Sequence, residues 1–203
     1  RYGKLAMPAV ALQQRQLEWR FRHFAPWQVQ RHADGWRILA SEWEPEGRSV
    51  AFDVDGEPIR LRGKIDRIDR HLNGYWAILD YKTTADPKTA NSAYKSKTGE
   101  WKDLQLPLYA WLTQELIEPH DLRDEPQLGY INLPKTATSS PLSLPKTLWE
   151  GDELAAAWDV ARQIVRDVRA GRTRDLGKRP KFLDPMIADL FERAEICTVE
   201  AQA

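Results

Sequence analysis

Cysteine is nearly missing from this chain: among its 203 residues only Cys197 is one. A single thiol excludes an internal disulfide, a CxxC redox pair and any four-thiolate zinc or iron–sulfur site. Such sparse usage suits a reducing cytoplasm, the location expected here. Net charge is also missing, since 30 basic and 30 acidic residues cancel. That balance excludes a polybasic binder with a global positive field but leaves room for local patches. No apolar run approaches the roughly 20 residues of a membrane-spanning helix, so no membrane partner is expected. Neither GxGxxG nor GxxxxGK[ST] occurs, so no such loop is there to cradle a nucleoside triphosphate.

What is present describes a well-cored folded chain: 42% apolar residues, nine Trp and a mean hydropathy of −0.61. We expect one domain over residues 1–203, with its core at about 35–133 and a helical part at about 148–203. Because the first residue is Arg, the chain is expected to be the C-terminal piece of a longer protein.

Pro8 suits the first turn of a helix that carries Val10, Leu17, Phe21 and Phe24 at helical spacing, and Pro26 is expected to end or kink it. "GWRILASEWE" (35–44) reads as a strand. "EPIRLRGKIDRID" (57–69) reads as another, changing phase at Gly63, where a bulge is expected. Asn73-Gly74 is a hairpin turn signal, so residues 58–83 are predicted to form a β-hairpin ending in "AILDYKTT". Residues 85–101 read as a loop rich in Lys, Ser and Thr. A helix follows from about 103 to 118 with Pro107 in its first turn, then the short strand "QLGYINL" (127–133). A Pro/Ser/Thr-rich connector (134–147) is a candidate hinge, and the strongest helix runs from 152 to about 170, capped by Gly171. A basic turn (172–181) precedes a short terminal helix. The order implies an α/β fold with a small mixed sheet, not a doubly wound one.

Residues i and i+2 of a strand face the same way, so Asp80 and Lys82 share a face. A two-residue turn at 73–74 sets position 80 against about 67. One extra residue, near Gly63 or in 69–72, brings Asp66 beside Asp80. Two adjacent carboxylates repel unless they share a proton or a cation, and oxygen-only ligation suits magnesium or manganese. A nearby ammonium completes what metal-assisted phosphodiester hydrolysis requires. The same spacing also suits a plain edge-strand ion pair, with Asp66 on the hairpin surface. Gln105 and Tyr109 lie one helical turn apart on the next helix, and Lys95, Lys97 and Lys102 populate the intervening basic stretch.

"RGKIDRID", "AILDYKTT" and "QLPLYAWL" together resemble the three motifs of RecB-type nucleases in the PD-(D/E)xK superfamily, the group of the RecB and AddB nuclease domains. The likeness covers residues 62–112 closely and extends loosely over Trp36 and Glu42. It implies a restriction-endonuclease-like core flanked by helices, with a C-terminal helical extension. It implies a magnesium- or manganese-dependent deoxyribonuclease, an exonuclease of DNA repair or recombination fed by a helicase partner or upstream helicase-like domain. Asp66, Asp80 and the main-chain carbonyl of Tyr81 would hold the metal, and Lys82 would assist the attacking water or the charge of the transition state. Gln105 and Tyr109 would place the DNA strand, with Lys95, Lys97 and Lys102 on its phosphates. Without cysteines, no iron–sulfur cluster is expected.

One departure stands out. RecB-type enzymes carry a metal-ligand His far upstream in a Gly-x-x-x-His context. His23 and His32 lie too close to Asp66 and lack that context, while His71 and His120 follow it. Glu18 and Glu42 are the candidate substitutes. Two other readings therefore stay open: a catalytically silent DNA-binding or scaffolding module of a helicase–nuclease complex, and a protein-interaction domain with no nucleic-acid role.

Overall fold

The computed structural model describes residues 8–83, 94–96, 98–123, 125–133, 142–143 and 151–172. Lys88, Lys97, most of the 134–147 connector, the 173–181 basic segment, the expected terminal helix and Cys197 lie outside them. By residue contacts the chain forms two compact units, Arg1–Arg166 and Asp167–Ala203. In the second, the described residues are the end of a helix, closed by Gly171 in the left-handed region (φ 67) and by an Arg172–Asp167 ion pair of 3.0 Å.

The first unit opens with α1 (Pro8–Ala33), followed by β1 (Trp36–Trp43). Pro26 does not end α1; the helix runs through it for two further turns. An internal proline costs about 3 kcal/mol. The last third of α1 is anchored strongly enough to offset this. Phe24 and Trp27 pack on Ala77, Leu79 and Ile131, and Arg31 is buried against Asp69. Leu17 and Phe21, further up the expected stripe, are exposed.

The expected strand 57–69 is in fact two. β2 (Val50–Val54) and β3 (Glu57–Leu61) pair in a separate two-stranded sheet, whereas β4 (Ile65–His71) belongs to the main sheet. The break falls at Gly63, and its cause is contact rather than a bulge. A Cβ there would meet Leu112 Cδ1 at 2.6 Å and Tyr109 Cε1 at 3.3 Å. The missing side chain lets the next helix come up against the chain at this point.

β4 and β5 (Trp76–Lys82) form the expected antiparallel hairpin, with Arg67 opposite Leu79 and Asp69 opposite Ala77. The turn holds three residues, because His71 N–H already donates to Tyr75 O at 2.6 Å. Gly74 takes the left-handed conformation (φ 86) that closes it. α2 (Gln105–Leu112) is shorter than expected, stopping where Thr113 Oγ1 donates back to the carbonyls of Tyr109 and Ala110. β6 (Gln127–Asn132) then lies parallel to β5, and β7 (Leu142–Ser143) adds a short antiparallel strand inside the predicted connector. The main sheet has the order β1-β4-β5-β6-β7, a mixed sheet with helices against it.

α3 (Gly151–Arg169) carries two acids in its first turn and buries Leu154, Ala157 and Ala161. One sheet face meets Leu106 and Ala110 of α2 and Leu154 of α3 through Ile68, Trp76, Ile78, Leu128 and Tyr130. Full burial of a side chain such as Leu106 contributes about 1.5–3 kcal/mol. The opposite face, with Ala77, Leu79 and Ile131, belongs to α1. Trp111 and Trp158 pack with Phe52 in a second core between α2, α3 and the β2–β3 sheet.

Candidate active site

The three-residue turn decides the register of the acidic pair. Pairs in the hairpin run 70 to 76, 69 to 77, 68 to 78 and 67 to 79, so the next step sets Asp66 opposite Asp80. The extra residue lies in the turn, and no bulge is needed. Asp66 Oδ2 accepts the main-chain N–H of Tyr81 at 2.9 Å, which pins its carboxylate to the end of β5.

Asp80 is only 5% exposed and has mixed company. Its Oδ1 accepts Gln105 Nε2 at 3.0 Å. Its Oδ2 forms an ion pair of 2.6 Å with Lys82 Nζ. Burial pushes the Asp80 carboxyl above its ordinary range, Lys82 and Gln105 pull it down, and the Asp66 charge pushes it up again. The charged form of Asp80 is thus disfavoured by burial and by its acidic neighbour, and a bound cation would offset both.

α2 braces this arrangement from above. Gln105 Nε2 also reaches Tyr109 Oη at 3.0 Å, and Tyr109 donates its hydroxyl proton to the carbonyl of Lys64 at 2.9 Å. One residue of the Gln–Tyr pair therefore grips Asp80 while the other grips the chain two residues before Asp66. Burial raises the Tyr109 phenol, so it stays protonated and able to donate. Asp103 accepts the Gln105 N–H at 2.9 Å and fixes the start of the helix.

The remaining sequence candidates fall in different places. Lys95 does not extend freely: its ammonium pairs with Glu153 of α3 at 2.5 Å and lies 4.7 Å from the Trp101 ring centroid. Lys102 is exposed in the same segment, and Lys97 lies outside the described residues. Tyr81 turns its side chain to the α1 face, where its hydroxyl accepts Arg67 Nη1 at 3.2 Å. Glu42 takes a left-handed backbone (φ 53) and pairs with Lys64 at 2.5 Å, and Glu18 is exposed on α1. His23 and His71 bond to the main-chain carbonyls of Trp19 and Asp34, both at 2.8 Å. Among the described residues no three His, Cys, Asp or Glu side chains converge on one point.

Asp66 and Asp80 suit a hard divalent cation even so. Magnesium is held by one or two carboxylates with water and substrate phosphate completing the shell, and Asp66 and Asp80 supply two carboxylates set across from each other at the ends of β4 and β5.

Two neighbours were not legible as site residues. Tyr130 and Asn132 of β6 lie across from Asp80 and Lys82 in the parallel ladder, both buried. A parallel partner comes from a distant segment through a crossover, and the only sequence signal was the alternation within "QLGYINL".

A search of the curated proteins finds no match. A solved structure named "Crystal structure of SSO0001" is 17% identical, over 80% of this chain and 60% of that one, with a TM-score of 0.36. The family model for the PD-(D/E)XK nuclease superfamily matches residues 4–192, nearly the whole sequence. With that match across its length, the chain belongs to the PD-(D/E)XK nuclease superfamily.

Proposed function

We propose that this protein is a metal-dependent deoxyribonuclease of the RecB/AddB type, hydrolysing phosphodiester bonds as an exonuclease in DNA repair or recombination. One observation carries the reading: Asp66, Asp80, Lys82 and Gln105 meet at the ends of two adjacent strands, in one network anchored to a helix. Asp66 and Asp80 would hold magnesium or manganese, with the main-chain carbonyl of Tyr81 as a further oxygen ligand. An ion bound there supplies Lewis-acid activation of water and screening of phosphate charge. Lys82 orients the attacking water or stabilises charge developing on the phosphate. Gln105 and Tyr109 hold the acidic strand ends at fixed spacing and lie where a DNA strand would approach. Lys95, Lys97 and Lys102 would contact phosphates, Lys95 after exchanging Glu153 for the substrate. The resemblance to RecB-type domains suggests a helicase partner that feeds the DNA, in the cytoplasm. Among the described residues no helix is long and apolar enough to cross a membrane.

Purified protein with magnesium or manganese should degrade linear DNA, and Lys82→Ala should not. Equal rates for the two would remove Lys82 from the chemistry.

A second reading, a silent DNA-binding module, is favoured by the Asp80–Lys82 contact itself. At 2.6 Å the ammonium already neutralises the carboxylate. Calorimetry separates the two: manganese binding supports the nuclease, whereas retained salt-dependent DNA binding without any metal binding supports the module.

A further inference from the structure

We infer that Tyr130 is a positioning residue for Lys82, holding its ammonium over the aromatic face at the end of β5. The parallel register sets Tyr130 directly across from Asp80, on the sheet face that Lys82 shares. Lys82 Nζ lies 4.9 Å from the Tyr130 ring centroid while contacting Asp80 Oδ2 at 2.6 Å. A lysine side chain has four rotatable bonds, and one carboxylate does not fix where its ammonium points. The ring supplies a second constraint from a different direction.

That second constraint matters most when Asp80 has another task. A carboxylate engaged with a cation or a proton holds an ammonium less tightly, whereas the ring face makes no such exchange. The ring is itself fixed. Tyr130 is 1% exposed and stacks on Tyr94, with centroids 5.5 Å apart and planes 25° apart. The Tyr94 carbonyl accepts the Lys102 N–H at 2.6 Å, and Lys95 follows Tyr94 in the chain. The support under Lys82 is therefore continuous with the segment that carries the proposed phosphate contacts.

The catalytic consequence rests on the nuclease reading; the placement of Lys82 does not. The test uses the full chain and two variants, Tyr130→Phe, which keeps the ring, and Tyr130→Leu, which removes it. In the metal-free protein the Lys82 Hε protons, assigned by their loss in Lys82→Arg, should be shifted upfield by the ring current in wild type and in Tyr130→Phe. The shift should vanish in Tyr130→Leu. With magnesium and DNA, Tyr130→Leu should lose about tenfold in kcat at unchanged KM, between the size of an exposed and of a desolvated cation–π contact, while Tyr130→Phe stays near wild type. A folded Tyr130→Leu with wild-type kcat overturns the positioning role. Unshifted Hε resonances in wild type overturn the placement, and that result stands even if Tyr130→Leu does not fold. A wild-type protein without nuclease activity overturns the nuclease reading and the kinetic role together, and leaves the ring-current result to decide the placement.

Discussion

Asp69 and Asp80 are buried carboxylates on the two strands of one hairpin, and they face opposite sides of the sheet. Asp69 is fully buried, and both of its oxygens are taken by guanidinium groups: Arg31 Nε at 2.6 Å, Arg67 Nε at 2.6 Å and Arg67 Nη2 at 2.9 Å. The surroundings continue the match. Arg67 donates to Gln28 at 2.6 Å, and Arg31 stacks 4.0 Å from the Trp36 ring centroid. Asp80 has one amide, one ammonium and a second carboxylate beside it. A carboxylate with both oxygens held by buried guanidinium groups holds structure together, since removing its charge leaves them unpaired. One set beside a like charge, with its own charge disfavoured by burial, is where a cation would be accepted.

The largest expected effect separates them by function. Asp80→Asn should reduce DNA cleavage at least about 1,000-fold, roughly 4 kcal/mol of transition-state stabilisation, with the fold intact by circular dichroism. Asp69→Asn inverts the pattern. It leaves two buried guanidinium groups short of their counter-charge and should cost about 3–5 kcal/mol of stability in urea denaturation. Molecules of that variant that remain folded should keep their cleavage rate. A stable Asp69→Asn would show that the Arg31–Asp69–Arg67 cluster is dispensable and would break the contrast from its structural side.

The pH dependence sharpens the contrast further. Asp80 has its folded pKa raised above the unfolded value, near the ordinary 3.8. Its contribution to stability is therefore fully present below that unfolded value and is lost as pH rises through the folded pKa. In metal-free buffer the wild type should lose stability relative to Asp80→Asn across this interval. Saturating magnesium should restore the loss. Urea midpoints measured against pH for both proteins, with and without metal, report the difference; parallel curves would contradict it. The smallest expected effect is that of Tyr109→Phe. It removes two hydrogen bonds, the one donated to the Lys64 carbonyl and the one accepted from Gln105 Nε2, and should cost about 1–2 kcal/mol, read as a roughly tenfold fall in kcat.

How much of this the sequence disclosed depends on separation along the chain. The hairpin was legible because Asn73-Gly74 and the alternation around it are local, and the Gln105–Tyr109 spacing was legible because one helical turn is local. A dipeptide signal does not fix loop length, and the one extra residue expected near Gly63 or in 69–72 is Leu72, which joins the turn. Gly63 was visible as an anomaly, but its reason is the approach of Leu112 and Tyr109, some fifty residues away. The burial of Asp69 has no local sign, because Arg31, which completes its pairing, comes from α1. Tyr130 was hidden by the crossover that makes β6 parallel to β5. Pro26 does not end α1, because tertiary anchoring sustains a helix that local geometry argues against.

The central claim is that Asp80 belongs to a metal-dependent hydrolytic centre while Asp69 belongs to the scaffold. The most direct measurement is cleavage of linear DNA by folded wild type, Asp80→Asn and Asp69→Asn, each with magnesium and with chelator. The account predicts cleavage by wild type and by folded Asp69→Asn in magnesium, none by any of the three in chelator, and none by Asp80→Asn in either condition. Cleavage by Asp80→Asn at the wild-type rate would contradict it.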